Sequence, residues 1–423
     1  MNIDEQQRSP YRSDAILSEI FVREGETVAW GDGLARLSTP AGLVPIFSTH
    51  AGRVSWMRRT GELVSPNSVL CRVTETDHAP ARTESLKALQ PILSPRAVLI
   101  VVYFGSLPHW FPLFVRQCAN NAWLTVKLVT DVREFPVPCP SNLQMVDSSL
   151  SHVAERLKAL TGLRVALDRA YKLCDIRPLY AELFAELVEG FDWWGWGDLD
   201  VLYGDLSEAL WPGLVGPYAM VMTQGSLCLN RNTPFLKQLY KTHLPGAPYF
   251  EDVVTDPISR VFDETPGFKR FAAHYNLPVY RPPALADIDA VKSRFTIGSK
   301  YSREVDYDAQ WFVCRAGRIY REAWHEGQFL RREFGYIHLQ KRKFAPLTAE
   351  VLNAPAFAII PDRFVAIDDE IPSPEMMRRS NRHSPISDIA YNFGGPLRRV
   401  RRVLRESSLR LRHALLQPYK RTR

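Results

Sequence analysis

The chain has 423 residues, 46% hydrophobic and 23% charged, a globular composition long enough for two or three domains and unlike a disordered or fibrous chain. The formal charge of +7 points to a polyanionic partner. However, Arg378 to Arg423 carry 13 Lys/Arg against two acids, a local +11 that leaves the body at −4. A basic nucleic-acid groove in the body is therefore not expected, and no nucleic acid is expected as a partner. No apolar run reaches the ~18 residues that a membrane-spanning helix needs.

Residues 1–14, MNIDEQQRSPYRSD, are polar and lack the apolar core of a secretory signal; a disordered start is expected. The six cysteines show no C-x-x-C pairing, which fits a reducing cytosol better than a disulfide framework or a zinc site.

Residues 15–75 read as a small all-β unit, short apolar stretches being separated by turn signals at Gly25, Gly31, Gly52 and Gly61. FVREGETVAWGDGLARL and WMRRTGELVSPNSVLCRV repeat one pattern, so a pseudo-symmetric pair of hairpins is expected. These glycines, with Val22, Val28, Leu34, Val54, Val64 and Leu70, resemble the two halves of a biotinyl/lipoyl-type domain. In that family a modified lysine sits between the halves. Here Ala41 takes the place, and no lysine precedes Lys87. An amide-linked cofactor needs a primary amine, so neither biotin nor lipoate is expected. What the resemblance leaves is a docking or self-association module, or an inherited structural appendage. Residues 76–95, with three prolines, read as a linker.

From 96 to 345 the pattern becomes α/β. AVLIVVYFG and WLTVKLVTDV are continuous apolar runs of the kind found in buried strands. Helical segments flank them, WFPLFVRQCANN, SSLSHVAERLKALTG and LYAELFAELVEGF, so a largely parallel sheet is expected. A third strand runs into FDWWGWGDLDVLYGDL. At the end of an extended strand Asp198 and Asp200 would share one side, and two close carboxylates call for a cation between them. A D-x-D taken alone is better explained by a surface or capping pair, but the aromatic run before it, where two unpartnered acids would be costly to bury, favours the metal.

In order along the chain stand VVYFGSLPHWFPLF, LVTD, YKLCDIRPLYAELF, WWGWGDLDVLYGD, GSLCLNRNTP, VFDETPGF, ALADI and YIHLQKRKF. Together these blocks resemble a bacterial glycosyltransferase-like family with the A-type (D-x-D) nucleotide-diphospho-sugar fold, associated with surface polysaccharides. The resemblance implies that Asp198, Asp200 and His338 hold a divalent metal, Mn2+ or Mg2+. Tyr103, Phe104, Gly105 and Asp131 would lie along the nucleotide. Lys172 and Arg177 would meet the diphosphate, with Asp175 in the same nucleotide-sugar-binding block and Lys341 and Lys343 closing over the diphosphate. Asn230, and with it Asn232, would meet sugar hydroxyls, and Asp263 or Glu264 would serve as catalytic base or acceptor contact. Read without the resemblance, Lys172–Asp175 is a surface pair, Asp263–Glu264 a helix N-terminal acid pair, and His338 a solvated side chain.

Residues 346–423 form a C-terminal extension. Leu397, Val400, Leu404, Leu411 and Leu415 share one helical face, with arginines on the other. Such a basic amphipathic helix suits an anionic membrane surface; a partner-docking helix and a nucleic-acid-binding arm are the alternatives. The expected protein is thus a cytoplasmic, peripheral membrane glycosyltransferase acting on a surface-polysaccharide or glycolipid acceptor. A non-catalytic scaffold of a polysaccharide machinery and a nucleotidyltransferase are the competing expectations.

Overall fold

The structure, a computed structural model, describes residues 4–8, 14–28, 33–39, 42–47, 52–65, 68–74, 91–223, 225–282, 285–289, 293–297, 305–340, 342–368 and 370–382. Ala41, Lys341, most of the expected linker and the basic segment 397–423 lie outside these residues.

The N-terminal strands are β1 (Asp4–Arg8), β2 (Ala15–Ile20), β3 (Thr27–Val28), β4 (Gly33–Thr39), β5 (Gly42–Phe47), β6 (Gly52–Trp56), β7 (Leu63–Val64) and β8 (Val69–Thr74). They form two four-stranded sheets, ordered β1-β8-β6-β3 and β5-β4-β2-β7. Leu17, Val28, Leu34, Leu37, Val54, Val64, Leu70 and Val73 fill the core. The sequence repeat is also a repeat of hydrogen bonds. Gly25 N donates to Val54 O at 2.8 Å, and Gly61 N to Leu17 O at 2.7 Å. Val54 N returns to Glu26 O at 2.9 Å, and Leu17 N to Glu62 O at 3.0 Å. Each glycine turns the chain at positive φ, 75° and 92°, and each half ties its turn to a strand of the other. β1 pairs with β8, so residues 4–8 belong to the unit instead of forming part of a disordered start.

The second region opens with β9 (Ala97–Val102), β10 (Leu124–Thr130), β11 (Leu143–Asp147), β12 (Trp193–Gly197), β13 (Val201–Tyr203), β14 (Met220–Val221), β15 (Leu227–Arg231) and β16 (Val279–Tyr280). Seven of these make one sheet in the order β11-β10-β9-β12-β15-β14-β16. β9 pairs in parallel with both β10 and β12, whereas β15 runs antiparallel to β12 and β14. The chain proceeds outward from β9 to β11, then returns to the other side of β9 as β12. That reversal is a topological switch point, where open α/β sheets bind ligands beyond the strands' carboxyl ends.

β12 owes its place to alternating tryptophan and glycine. A Cβ on Gly195 would stand 1.8 Å from Cys228 O on β15, so the two strands approach only because residue 195 has no side chain. A Cβ on Gly197 would stand 2.6 Å from Leu99 Cδ2 and 2.9 Å from the Tyr203 hydroxyl. Trp194 and Trp196 are fully buried, Trp196 packing edge-on against Phe268.

Helices Phe111–Ala119 and Leu150–Thr161 occupy two of the expected segments, the latter capped by the Ser149 side chain and by left-handed Gly162. The third segment breaks at Phe184 into Tyr180–Leu183 and Ala185–Val188. There Arg156 donates to Leu183 O from Nε at 2.9 Å and from a terminal nitrogen at 2.6 Å, occupying a carbonyl that would otherwise continue the helix.

The remaining strands are β17 (Ala286–Asp287), β18 (Ala309–Arg315), β19 (Arg318–His325), β20 (Gln328–Phe334), β21 (Tyr336–His338), β22 (Ala356–Ile360) and β23 (Arg363–Ala366). β18, β19, β20, β22 and β23 form an antiparallel sheet in which β22 pairs directly with β18. Helix Pro374–Ser380 packs on it through buried Met377, and the Asn381 side chain accepts from Phe295 N at 2.8 Å. A boundary at 345 would cut this sheet in two. The folded unit therefore runs past it, and the expected extension begins later.

Candidate metal centre

Three short strands build the site at the carboxyl end of β12. β13 pairs with β21 so that Val201 faces His338, and β17 pairs with β21 so that Asp287 faces His338. Leu339 N donates to Asp200 O at 2.9 Å, and Asp198 N to Ser226 O at 3.1 Å. The D-x-D is a turn just past the strand, not an extended end. The two carboxylates meet because these backbone bonds hold the turn, not through strand alternation.

One ligand atom from each of Asp198, Asp200 and His338 falls within 4.8 Å of the others. His338 Nε2 lies 3.3 Å from Asp200 Oδ1 and 4.0 Å from Asp198 Oδ2. On the ring's other side His338 Nδ1 meets Asp287 Oδ1 at 2.8 Å. Burial opposes protonation of His338, but the hydrogen bonds to Asp200 and Asp287 and the charges of Asp200 and Asp198 outweigh it and push its pKa up to about 10. Two carboxylates and an imidazole form a donor set suited to Mn2+ and, through the oxygens, to Mg2+; the residues fit such an ion.

Arg177 joins this cluster to Asp263. Its guanidinium donates to Asp198 Oδ1 and, at 2.9 Å, to Asp263 Oδ2. Asp198 thus divides its oxygens, Oδ1 to Arg177 and Oδ2 toward His338. Burial raises the pKa of Asp198 against the pull of Arg177. Burial also pushes Asp263 up to about 7, opposed by Arg177 and reinforced by Glu264, Asp175 and Asp198. Glu264 is half-buried beside it.

Lys172, expected at the diphosphate, and Asp175, expected in the nucleotide-sugar site, have a different task. Both are fully buried and pair at 2.7 Å. Lys172 also donates to Ile258 O at 2.7 Å. Asp175 accepts from Ser259 Oγ at 2.9 Å, Arg260 N at 2.8 Å and Phe262 N at 3.2 Å. Burial, outweighing Asp175, lowers the Lys172 pKa. The pair clamps the loop leading to Asp263, and within it Val261 is held at φ 55°, a conformation that β-branched residues rarely adopt.

Across the switch point, Gly105 N donates to Asp131 Oδ1 at 2.9 Å, and Gly105 takes φ 99°. The Tyr103 hydroxyl donates to Ser106 O at 2.8 Å. Its pKa is raised by burial and then by the charge of Asp200. Phe104 is half-buried against the core. Two expected sugar contacts are placed elsewhere. Asn230 is fully buried opposite Trp194 and Met220, out of reach of a sugar hydroxyl. The Asn232 amide is spent on Val188 O at 2.8 Å and Phe191 O at 2.7 Å. Lys343 is exposed. Asp287 and Gln340 received no role from the sequence, although Asp287 stands in the ALADI block; its link to His338 shows only once β17 and β21 pair.

A family model described as a family of unknown function (DUF6625) matches residues 99–368. No curated protein matches the sequence. Among solved structures, a single-chain, multi-domain long-chain acyl-CoA carboxylase is similar at 19% identity over 20% of this chain, with a TM-score of 0.16. The match spans 8% of that carboxylase chain, and a superposition this small carries no argument.

Proposed function

The chain belongs to the DUF6625 family of unknown function, so its activity is argued from its own site, and we propose a metal-dependent glycosyltransferase using a nucleotide-diphospho-sugar. The observation that carries this reading is the meeting of Asp198, Asp200 and His338 at the switch point of a mostly parallel sheet. Arg177 and Asp263 adjoin them. The ordered sequence blocks are the second support.

Asp198, Asp200 and His338 would hold Mn2+ or Mg2+, which supplies Lewis-acid neutralisation of the departing diphosphate. Arg177 adds a fixed guanidinium next to the same carboxylate, in a site largely withdrawn from water where charge stabilisation is strong. Gly105, fixed by Asp131, permits close backbone approach of the nucleotide, and Tyr103 offers an aromatic face beside it. Asp263, with a pKa of about 7, is suited to take the proton of an acceptor hydroxyl near neutral pH; Arg177 holds its Oδ2 and orients it. The acceptor in this reading is a surface-polysaccharide or glycolipid intermediate, reached at an anionic membrane surface through segment 397–423. Among the described residues no helix is long and apolar enough to cross a membrane.

The test is Mn2+-dependent hydrolysis or transfer across a panel of nucleotide sugars, comparing wild type with Asp198→Ala plus Asp200→Ala. Activity in the wild type and its loss in the variant are expected. Equal behaviour of the two, with no nucleotide bound by either, overturns the proposal.

A further inference from the structure

We infer that Asp287 and Gln340 are positioning residues for His338, fixing the tautomer and rotation that turn Nε2 toward Asp198 and Asp200. The inference rests on the metal-dependent reading above and deepens it, since it names what sets the strength of that ion site.

Asp287 ends β17 as the direct cross-strand partner of His338 on β21. Ile288 N donates to His338 O at 3.2 Å, so the pairing continues on the far side of the contact and the strands cannot slide without breaking it. A single oxygen, Asp287 Oδ1, accepts from His338 Nδ1 at 2.8 Å and from Gln340 Nε2 at 2.7 Å. A carboxylate can only accept, so the Nδ1 side keeps its proton, and Nε2 is the nitrogen left to bind an ion once the ion displaces the proton it shares with Asp200. That nitrogen faces Asp200 at 3.3 Å and Asp198 at 4.0 Å. Imidazole ligands depend on such outer carboxylates for ring orientation and basicity.

Gln340 carries a second, independent mark. Its φ is 54°, a left-handed conformation that non-glycine residues seldom adopt and that tends to persist at sites where it is put to use. The turn it makes, two residues after His338, brings its amide back to the same oxygen. A glycine would have made this turn without strain, but it would have had no amide to return.

The experiment is calorimetric titration of Mn2+ into the full chain. The proteins are wild type, Asp287→Asn, Gln340→Ala, His338→Gln, and each of the first two changes combined with His338→Gln. Asp287→Asn is expected to weaken Mn2+ binding about 10–100-fold, and Gln340→Ala to weaken it by less. Neither change is expected to weaken binding further in the His338→Gln background, because both residues act through that ring. Equal losses in the two backgrounds would show a purely architectural role and overturn the inference, as would unchanged affinity in the single variants. If Asp287→Asn does not fold, Gln340→Ala decides through the same oxygen by the same comparison. A wild type that takes no Mn2+ overturns the metal-dependent reading itself, and this inference falls with it; a wild type that binds while Asp287→Asn binds equally overturns only the inference.

Discussion

Replacing Lys172 by methionine tests the clamp on the Asp263 loop. The change removes the ammonium but leaves the Asp175 carboxylate fully buried. Its remaining donors are Ser259 Oγ, Arg260 N and Phe262 N. Removing one partner of a buried ion pair costs about 3–5 kcal/mol. Three surviving donors and the apolar methionine stem set Lys172→Met near the lower limit, about 3 kcal/mol. For a domain of this size, about 2–4 °C of melting temperature per kcal/mol gives a drop of about 6–12 °C. The buried Trp193, Trp194 and Trp196 report the transition by fluorescence. A second substitution tests the strain. An L-residue in the left-handed region costs roughly 1–2 kcal/mol, so adding Val261→Gly to Lys172→Met should recover about 1 kcal/mol, the new glycine's own entropy offsetting part of the relief. A Lys172→Met protein that melts with the wild type refutes the clamp. A Val261→Gly change that lowers stability further refutes the strain.

The high pKa of Asp263 gives a signed pH dependence. Its folded value, about 7, exceeds the ordinary aspartate value of 3.8. The stability it contributes is therefore fully present below the unfolded value and is lost as pH rises through about 7. Asp263→Asn should gain on wild type in melting temperature as pH increases across that window, and a constant difference between the two would contradict the assignment. For the reaction itself, wild-type rate should rise with pH through the same range, and the Asn variant should lack that limb. Two glycines separate steric from conformational need. Gly195→Ala, whose Cβ would lie 1.8 Å from Cys228 O, should fail to yield soluble protein. Gly105→Ala has nothing within 4 Å of its Cβ but sits at φ 99°; it should fold with a loss of roughly 1–2 kcal/mol in denaturant unfolding. Deleting residues 397–423 should abolish co-sedimentation with anionic liposomes, and equal binding of the truncated protein would remove the membrane from the proposal.

The residues that meet at the centre were legible as types and as ordered blocks, but their partners were not. Asp198 and His338 come together only because β13 pairs with β21, strands from distant parts of the chain, and no local pattern encodes that register. Lys172 and Asp175 look in sequence like any exposed i,i+3 pair. Burial is a property of the loop that covers them, 258–262, which follows more than eighty residues later. Asn230 fails for a similar reason: it lies on β15, between β12 and β14, and is fully buried, which its local sequence does not show. The run of β9 was clear because a parallel strand covered on both faces reads as unbroken apolar sequence; β10 carries Thr125 and Lys127 at half-buried positions and was legible from the apolar residues around them. The boundary set at 345 missed β22 because its pairing to β18 spans a proline-punctuated stretch that reads locally as an extension.

The crossed glycine turns of the N-terminal module bear on how it assembles. Gly25 is satisfied by Val54, and Gly61 by Leu17, so a repeat folded alone would expose an unpartnered turn and an open strand edge. β2–β4 and β6–β8 pair within their own halves, but the glycine turns and the short strands β3 and β7 are completed only across the repeat, by β6 and β2, so closure of one half alone leaves them unpaired until the long-range pairing is made. The module should therefore have no stable half-folded form. Amide exchange at Gly25 and Gly61 should share a single opening free energy, as expected of one cooperative unit, even though the two turns come from separate copies of the repeat.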